Sequence, residues 1–200
     1  IYSVTVTVTD NGSLTDAQDL TITVTDLDEA PIINSNDDGA TATIISYAEN
    51  DTSLVTTVTS SDEDAGSTAV YSISGTDVDD FSIDSSSGVL TFASAPNYES
   101  PTDSDTNNSY TIDVTVTDNN SFADTQSLTI NVADVNENPV ITSNEGSETY
   151  AMSFAENDTS LVTTVTSSDV DAGSTAVYSI SGTDADDFSI DSSSGVLTFA

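Results

Sequence analysis

Whatever chemistry this chain can do rests on its carboxylates. The sequence holds 35 Asp and Glu among 200 residues, with no Lys, Arg, His or Cys, and its formal net charge is −35. No acid can find a cationic side chain. Two carboxylates about 4 Å apart repel by roughly 1 kcal/mol in bulk water and about 4 kcal/mol at an effective dielectric near 20. Where a fold gathers such groups, the counter-charge must come from solvent. A hard divalent cation that takes oxygen ligands is the natural source. Composition alone leaves another reading open, namely solubility or tolerance of a salty medium that screens charge.

The positions of the acids carry the argument further. VTDLDEAP (24–31) and VADVNENP (132–139) each place an Asp, then Asp or Asn two residues on, then Glu, shortly before Pro. Other acids end strand-like stretches: Glu49 in YAEN, Glu156 in FAEN, Glu99 in Asn97-Tyr98-Glu99, and Asp10 and Asp118 after VTVT. Asp62-Glu63-Asp64 and Asp169-Val170-Asp171 are Asp-x-Asp pairs, which point two carboxylates the same way when extended. Asp77, Asp79, Asp80 and Asp84, with their repeats Asp184, Asp186, Asp187 and Asp191, are expected at turns and on the surface. Asp16, Asp19, Asp103 and Asp105 are expected to be solvated.

The same composition excludes several functions. Without Lys or Arg the chain cannot neutralise phosphates, so nucleic acid and direct contact with an anionic membrane are not expected partners. Without His, Lys, Arg or Cys the usual bases, clamps and nucleophiles are missing, and the chain is not expected to be an enzyme. Paired carboxylates could in principle hydrolyse glycosides. Here they recur with the sequence period, which suits a structural role. No apolar run approaches the roughly 18 residues of a membrane span. The chain opens at Ile1 within a strand-like pattern, so a stretch of a longer protein is expected.

The elements that must position these acids are strands. Tyr2, Val4, Val6 and Val8 alternate with Ser3, Thr5, Thr7 and Thr9, and Tyr110, Ile112, Val114 and Val116 repeat the pattern. Leu20, Ile22 and Val24 match Leu128, Ile130 and Val132. Period-two alternation of β-branched residues predicts strands buried on one face. Strand segments are expected near 31–35, 42–47, 53–59, 68–74, 80–84, 89–93, 109–117 and 125–133, with no helical periodicity. This reads as an all-β, immunoglobulin-like Greek-key sandwich of about seven strands, with an up-and-down barrel as the weaker alternative.

Self-comparison sets the organisation. Ala48–Ala93 recurs as Ala155–Ala200 with two changes, Glu63 to Val170 and Val78 to Ala185. Tyr2–Asn36 recurs more loosely as Tyr110–Asn144. The period is 107–108 residues, with the slip between the loop regions 37–47 and 145–154. The expected domains are the end of one repeat (1–30), a complete repeat (31–138) and the front of a third (139–200).

These segments resemble the cadherin repeat family, and in particular its bacterial cadherin-like branch. Five family motifs have counterparts here in the right order: x-Glu-x, Asp/Asn-Tyr/Arg-Glu, the acidic linker before Pro, Asp-x-Asp, and an Asp ending a late strand. The resemblance implies Ca²⁺ at each junction of repeats. One junction would use Glu49, Glu99, Asp134, Asn136, Glu137, Asn138, Asp169 and Asp171, its late-strand Asp lying beyond Ala200. The other would use Asp26, Asp28, Glu29, Asp62, Asp64 and Asp118, without its upstream Glu residues. Asn97 stands for a usual Asp, the linker is one residue shorter than in animal cadherins, and Ala30 replaces an amide residue. The implied function is a rigid, Ca²⁺-stiffened extender in a secreted or cell-surface adhesin or extracellular filament, of bacterial type. Its partners would be neighbouring repeats of the same chain and other copies of itself, in a filament or in homophilic contact. The rival function is a recognition module for a glycan or a partner cadherin-like domain.

Overall fold

The computed structural model describes residues 1–36 and 43–200. Among them there is no α-helix, only three short 3-10 turns. The strands in chain order are β1 (Tyr2–Thr9), β2 (Thr15–Ile22), β3 (Ile32–Ile33), β4 (Thr43–Ala48), β5 (Thr56–Thr57) and β6 (Ser60–Ser61). They continue as β7 (Val70–Ser74), β8 (Phe81–Ile83), β9 (Val89–Phe92), β10 (Ser109–Thr117) and β11 (Ala123–Ala133). The last are β12 (Val140–Ile141), β13 (Thr163–Thr164), β14 (Ser167–Ser168), β15 (Phe188–Ile190) and β16 (Val196–Phe199). A four-stranded sheet takes the order β4-β11-β10-β7. The expected strand 109–117 matches β10 in both bounds. The expected strand 42–47 begins one residue outside the described chain, as does most of the loop region 37–47.

The chain falls into two compact units, one of residues 1–43, 54–91 and 111–129, the other of 44–53, 92–110 and 130–200. The first unit contains the β1–β2 hairpin, paired from Tyr2↔Ile22 to Thr9↔Thr15. Asp10 closes its turn, Oδ1 accepting the Gly12 and Leu14 N–H groups at 2.9 and 2.8 Å. The unit also contains β3–β6, β5–β9–β8, and β7 paired with β10 through Tyr71↔Val116. The single strand expected over 53–59 is broken in two. β5 pairs with β9 and β6 pairs with β3, so the chain changes partners across Val58 and Thr59. Gly88 makes this corner possible. Its φ is +69°, and a Cβ there would lie 2.1 Å from the Val58 carbonyl oxygen.

The core of the first unit is Ile33, Val58, Leu90, Ile112, Val114, Val116 and Leu128, all fully buried. Burying each such side chain stabilises by roughly 1.5–3 kcal/mol. Three polar side chains tie the elements together. Asp124 Oδ2 accepts the Ile33 N–H at 2.8 Å, and the Gln126 amide donates to the Ser35 and Asn36 carbonyls. Asp77 Oδ2 accepts the Thr111 N–H at 2.7 Å. Asp77 was expected at the surface and is instead buried. Its carboxylate fills a place where β10 would otherwise leave an N–H unpaired.

The second unit has its own core. Phe92 packs between Tyr47 and Tyr110, tilted against the first ring and edge-on to the second, at centroid distances of 5.0 and 5.3 Å. Ile130 and Val132 are buried with them, and the Tyr47 hydroxyl donates to the Ser53 carbonyl. Asp103, expected to be solvated, is buried. It accepts the N–H groups of Asn107 and Asn108 at 2.8 and 3.2 Å, which closes the turn into β10. The unit also holds β12–β14 and β13–β16–β15.

The alternation in β1 and β2 does not bury a face. Every residue of both strands is exposed. The physical reason is that periodicity selects a face without supplying the surface that covers it.

Candidate metal centre

Glu49 organises a carboxylate cluster in the second unit. It follows β4, where Asn50 takes a left-handed turn at φ 60°. Its backbone N–H donates to the Ala133 carbonyl at 3.0 Å. Its side chain is 2% exposed. Oε2 accepts the Tyr98 N–H at 2.8 Å and Oε1 accepts the Val135 N–H at 2.9 Å. One buried carboxylate thereby fixes the two segments that carry Glu99 and Asp134.

Glu49, Glu99, Asp134 and Glu137 each bring one carboxylate oxygen to within 4.8 Å of the others. Among the described residues this is the one set of three or more acidic side chains so arranged. The linker is anchored from a further side. Asp171 Oδ2 accepts the Glu137 N–H at 2.9 Å, and the Asn50 amide donates to Glu137 Oε1. Asn136 donates to the Glu137 carbonyl at 2.9 Å. Asp169 shapes the Asp-x-Asp loop, accepting the Asp171 N–H at 3.1 Å and the Ser174 hydroxyl at 2.6 Å. Asn138, which follows Glu137 in the sequence, is exposed.

The electrostatics follow from this crowding. Burial raises the Glu99 carboxyl above its ordinary value, and Glu49, Asp134 and Asp171 raise it further. Asp134 is raised by burial, then by Asp171 and Glu49. Glu137 is raised by burial, then by Glu49, Glu99 and Asp171. Asp169 moves the other way, held below its ordinary value by the Ser174 hydroxyl and the Asp171 N–H. Two oxygens in this region, Glu137 Oε2 and Asp171 Oδ1, are buried with no hydrogen-bond partner.

The first unit repeats the scaffold around 26–29. Asp64 Oδ2 accepts the Glu29 N–H at 2.8 Å, as Asp171 does for Glu137. Asp62 accepts the Asp64 N–H and the Ser67 hydroxyl, as Asp169 does for its own loop. Burial and then Asp64, Asp26, Glu63 and Asp28 raise the Glu29 carboxyl. Asp28 keeps one buried oxygen without a partner, while Asn120 donates to the other. Asp118 Oδ1 accepts the Asn120 and Phe122 N–H groups at 2.9 and 2.8 Å, which closes the β10–β11 turn. Asp26, Asp28, Asp64, Ser67, Asn119 and Asn120 line one cleft.

Sequence reasoning missed Asn50, Asn119 and Asn120 as parts of these sites. Asn50 had a signal, because it sits beside Glu49 in an AEN triplet that recurs at Ala155-Glu156-Asn157.

With this geometry in view, the comparisons place the chain. Residues 43–133 match the sequence profile of the cadherin domain, and this segment is a cadherin repeat in an all-β, cadherin-type sandwich fold. Protocadherin Fat 4 of Homo sapiens is 32% identical over 210 residues, covering 98% of this chain and 4% of the relative. The chain thus spans about 4% of the length of that curated relative. These relatives are animal proteins, whereas the sequence reading expected the bacterial branch. Among solved structures, protocadherin gammaB7 EC3-6, a cis-dimer structure, aligns with a TM-score of 0.60 at 26% identity, covering 100% of this chain and 51% of that chain. Human CDH23 EC21-23 aligns with a TM-score of 0.62 at 18% identity, covering 98% and 63%, and shows the fold alone. Cadherin domains are adhesion modules rather than enzymes, and in general they bind Ca²⁺. No helix of the described residues is long and apolar enough to cross a membrane.

Proposed function

We propose that this chain is a Ca²⁺-stiffened spacer segment of a longer extracellular adhesion protein. Its repeat boundaries lie at 1–30, 31–138 and 139–200. One observation carries the reading: four carboxylates converge within 4.8 Å in a chain without Lys, Arg or His. Such convergence is costly unless a cation joins it. The donors are all oxygen, which suits Ca²⁺ and its roughly 6–8 oxygen ligands. The partnerless oxygens of Glu137 and Asp171 supply further lone pairs. When bound, Ca²⁺ would contribute the positive charge that the chain lacks.

The chain's own residues do the positioning. Glu49, Glu99, Asp134, Glu137 and Asp171 would hold the ion, with Asn136, Asn138 and Asp169 as the further ligand candidates of the linker and its loop. Asp26, Asp28, Glu29, Asp62, Asp64 and Asp118 form the counterpart set one period earlier. Extracellular modules work with affinities of about 10⁻⁴ to 10⁻³ M, which suffices here. Neighbouring repeats are the first partners, and contact with other copies of the chain extends the reading.

The test is thermal unfolding and solution scattering, with Ca²⁺ and with chelator, beside the variant Asp134→Asn/Asp171→Asn. Ca²⁺ should raise Tm and lengthen the particle in the wild type and do neither in the variant. A wild type whose melting and scattering ignore Ca²⁺ would overturn the proposal, and the acidity would then serve solubility.

A further inference from the structure

In each unit a side-chain amide holds one oxygen of a linker carboxylate. Asn50 Nδ2 donates to Glu137 Oε1, and Asn120 Nδ2 donates to Asp28 Oδ1. The other oxygens of these two acids, Glu137 Oε2 and Asp28 Oδ2, are buried with no hydrogen-bond partner. Asp171 is divided in the same way, its Oδ2 accepting the Glu137 N–H while its Oδ1 is buried without a partner. A buried acceptor left unpaired is costly, so three of them in this pattern point to a ligand that uses them. The last torsion of an Asp or Glu side chain is broad by itself. Tying one oxygen to a donor narrows it and thereby sets where the other oxygen points. In a chain without Lys, Arg, His or Trp, only amides and hydroxyls remain as side-chain donors.

The chain places Asn50 where few residues fit. Its φ is 60°, in the left-handed region that Gly and Asn enter at least cost. Its backbone N–H donates to the Pro96 carbonyl at 2.9 Å, and the Glu49 N–H donates to the Ala133 carbonyl at 3.0 Å. The turn is thus pinned to both segments that carry the cluster. The Glu137 backbone is fixed separately, by Asp171, so the Asn50 amide acts on the carboxylate alone. The Glu-Asn doublet recurs at Glu156-Asn157, and Asn157 has φ 62°. Asn120 holds Asp28 from a different turn, the one that Asp118 closes between β10 and β11. The two contacts are therefore separate instances of one arrangement.

We propose, on the Ca²⁺ reading above, that Asn50 is a positioning residue of the metal centre: its amide keeps Glu137 Oε1 and so presents Oε2 to the cation. Asn120 does the same for Asp28. The amide stays on Glu137 when the ion binds, because the ion takes the oxygen that the amide leaves. Partners that orient a ligand in this way are worth about 10–100-fold in metal affinity. Two other roles for the amide have different consequences. An amide that stands in for the missing cation would compete with it, and its removal would tighten binding. An amide that only fastens the fold would leave the affinity unchanged.

A Ca²⁺ titration of the 200-residue chain followed by ¹H–¹⁵N NMR tests this, with the backbone N–H signals of Tyr98, Val135 and Glu137 reading the site. Asn50→Gly keeps the left-handed turn and removes the amide. Its Ca²⁺ affinity at these signals should fall about tenfold or more. Asn120→Gly, in the other unit, should leave the three signals titrating as in the wild type. Gly12 stands at that repeat position in a turn closed in the same way by Asp10, so the fold accepts the change. In the wild type the Asn50 side-chain N–H₂ signals should keep their hydrogen-bonded shifts at saturating Ca²⁺. An Asn50→Gly variant that binds as tightly as the wild type, or more tightly, would overturn the proposal. Release of the wild-type Asn50 amide on Ca²⁺ binding would overturn it too, and needs no variant to be seen. Wild-type signals that ignore Ca²⁺ would remove the Ca²⁺ reading as well, whereas Ca²⁺ binding by the wild type beside an unaffected Asn50→Gly removes the role of Asn50 alone.

Discussion

Glu49 shows how one side chain does two jobs. It joins an acidic cluster, and it also accepts two backbone N–H groups from different segments. Removing it strands both donors, at about 1–3 kcal/mol for each buried group left unmade. Glu49→Ala should therefore lower Tm even in chelator, beyond abolishing the Ca²⁺ response. Glu99 makes the opposite case, because burial and like charges raise its carboxyl. A carboxyl raised on folding stabilises the fold below its unfolded value, and that stability is lost as pH rises through the raised folded value. Glu99→Gln removes this loss. In chelator at neutral pH the variant should melt above the wild type. The gap should close as pH falls through the carboxylate range, and a melting series over pH reads it directly. Asp169 and Asp62 are lowered by hydrogen bonds and work the other way: their stability is present at neutral pH and is lost in acid.

At the scale of elements, the same residue has different worth in different strands. Ile130 in β11 is 0% exposed, and its repeat counterpart Ile22 in β2 is 51% exposed. Ile130→Ala should cost about 2–5 kcal/mol in urea unfolding. Ile22→Ala, in dilute solution, should fall within about 0.5 kcal/mol of wild type. Equal losses at the two sites would mean that the hairpin face is covered. The corner between β5 and β6 depends on Gly88, where a Cβ would meet the Val58 oxygen at 2.1 Å. Gly88→Ala should be among the most damaging single-carbon additions in the chain, because backbone rather than a flexible side chain must yield. A melting temperature unchanged by Gly88→Ala would show that the corner relaxes freely.

For the whole molecule the dominant quantity is a charge of −35 with nothing on the chain to oppose it. Self-repulsion of this size weakens the compact state. Screening lengths fall from about 30 Å at 0.01 M salt to about 8 Å at 0.15 M. In chelator, added monovalent salt should therefore raise Tm. With Ca²⁺ present the same salt should raise Tm less and should weaken Ca²⁺ binding, because both cations answer the same field. Calorimetry with and without chelator separates the two effects. A Tm indifferent to salt in chelator would remove electrostatic repulsion from the account.

Much of this was legible in the residues themselves. Alternation from Tyr110 to Val116 predicted β10 to the residue, because a strand with one buried face writes that face at every second position. The absence of basic residues implied a foreign counter-charge, and the family resemblance named Glu49, Glu99, Asp134 and Glu137, whose carboxylates the fold brings within 4.8 Å of one another. Other features needed the folded chain. VYSIS is a strand at 70–74 and not at 177–181, since a strand is made by its partner as much as by its own residues. Asp77 and Asp103 look like any surface acid in a turn, and only the fold shows them buried against backbone N–H groups. The cluster itself joins residues up to 88 positions apart, from Glu49 to Glu137. Local pattern sets the direction of each side chain, and packing over that distance decides which of them meet.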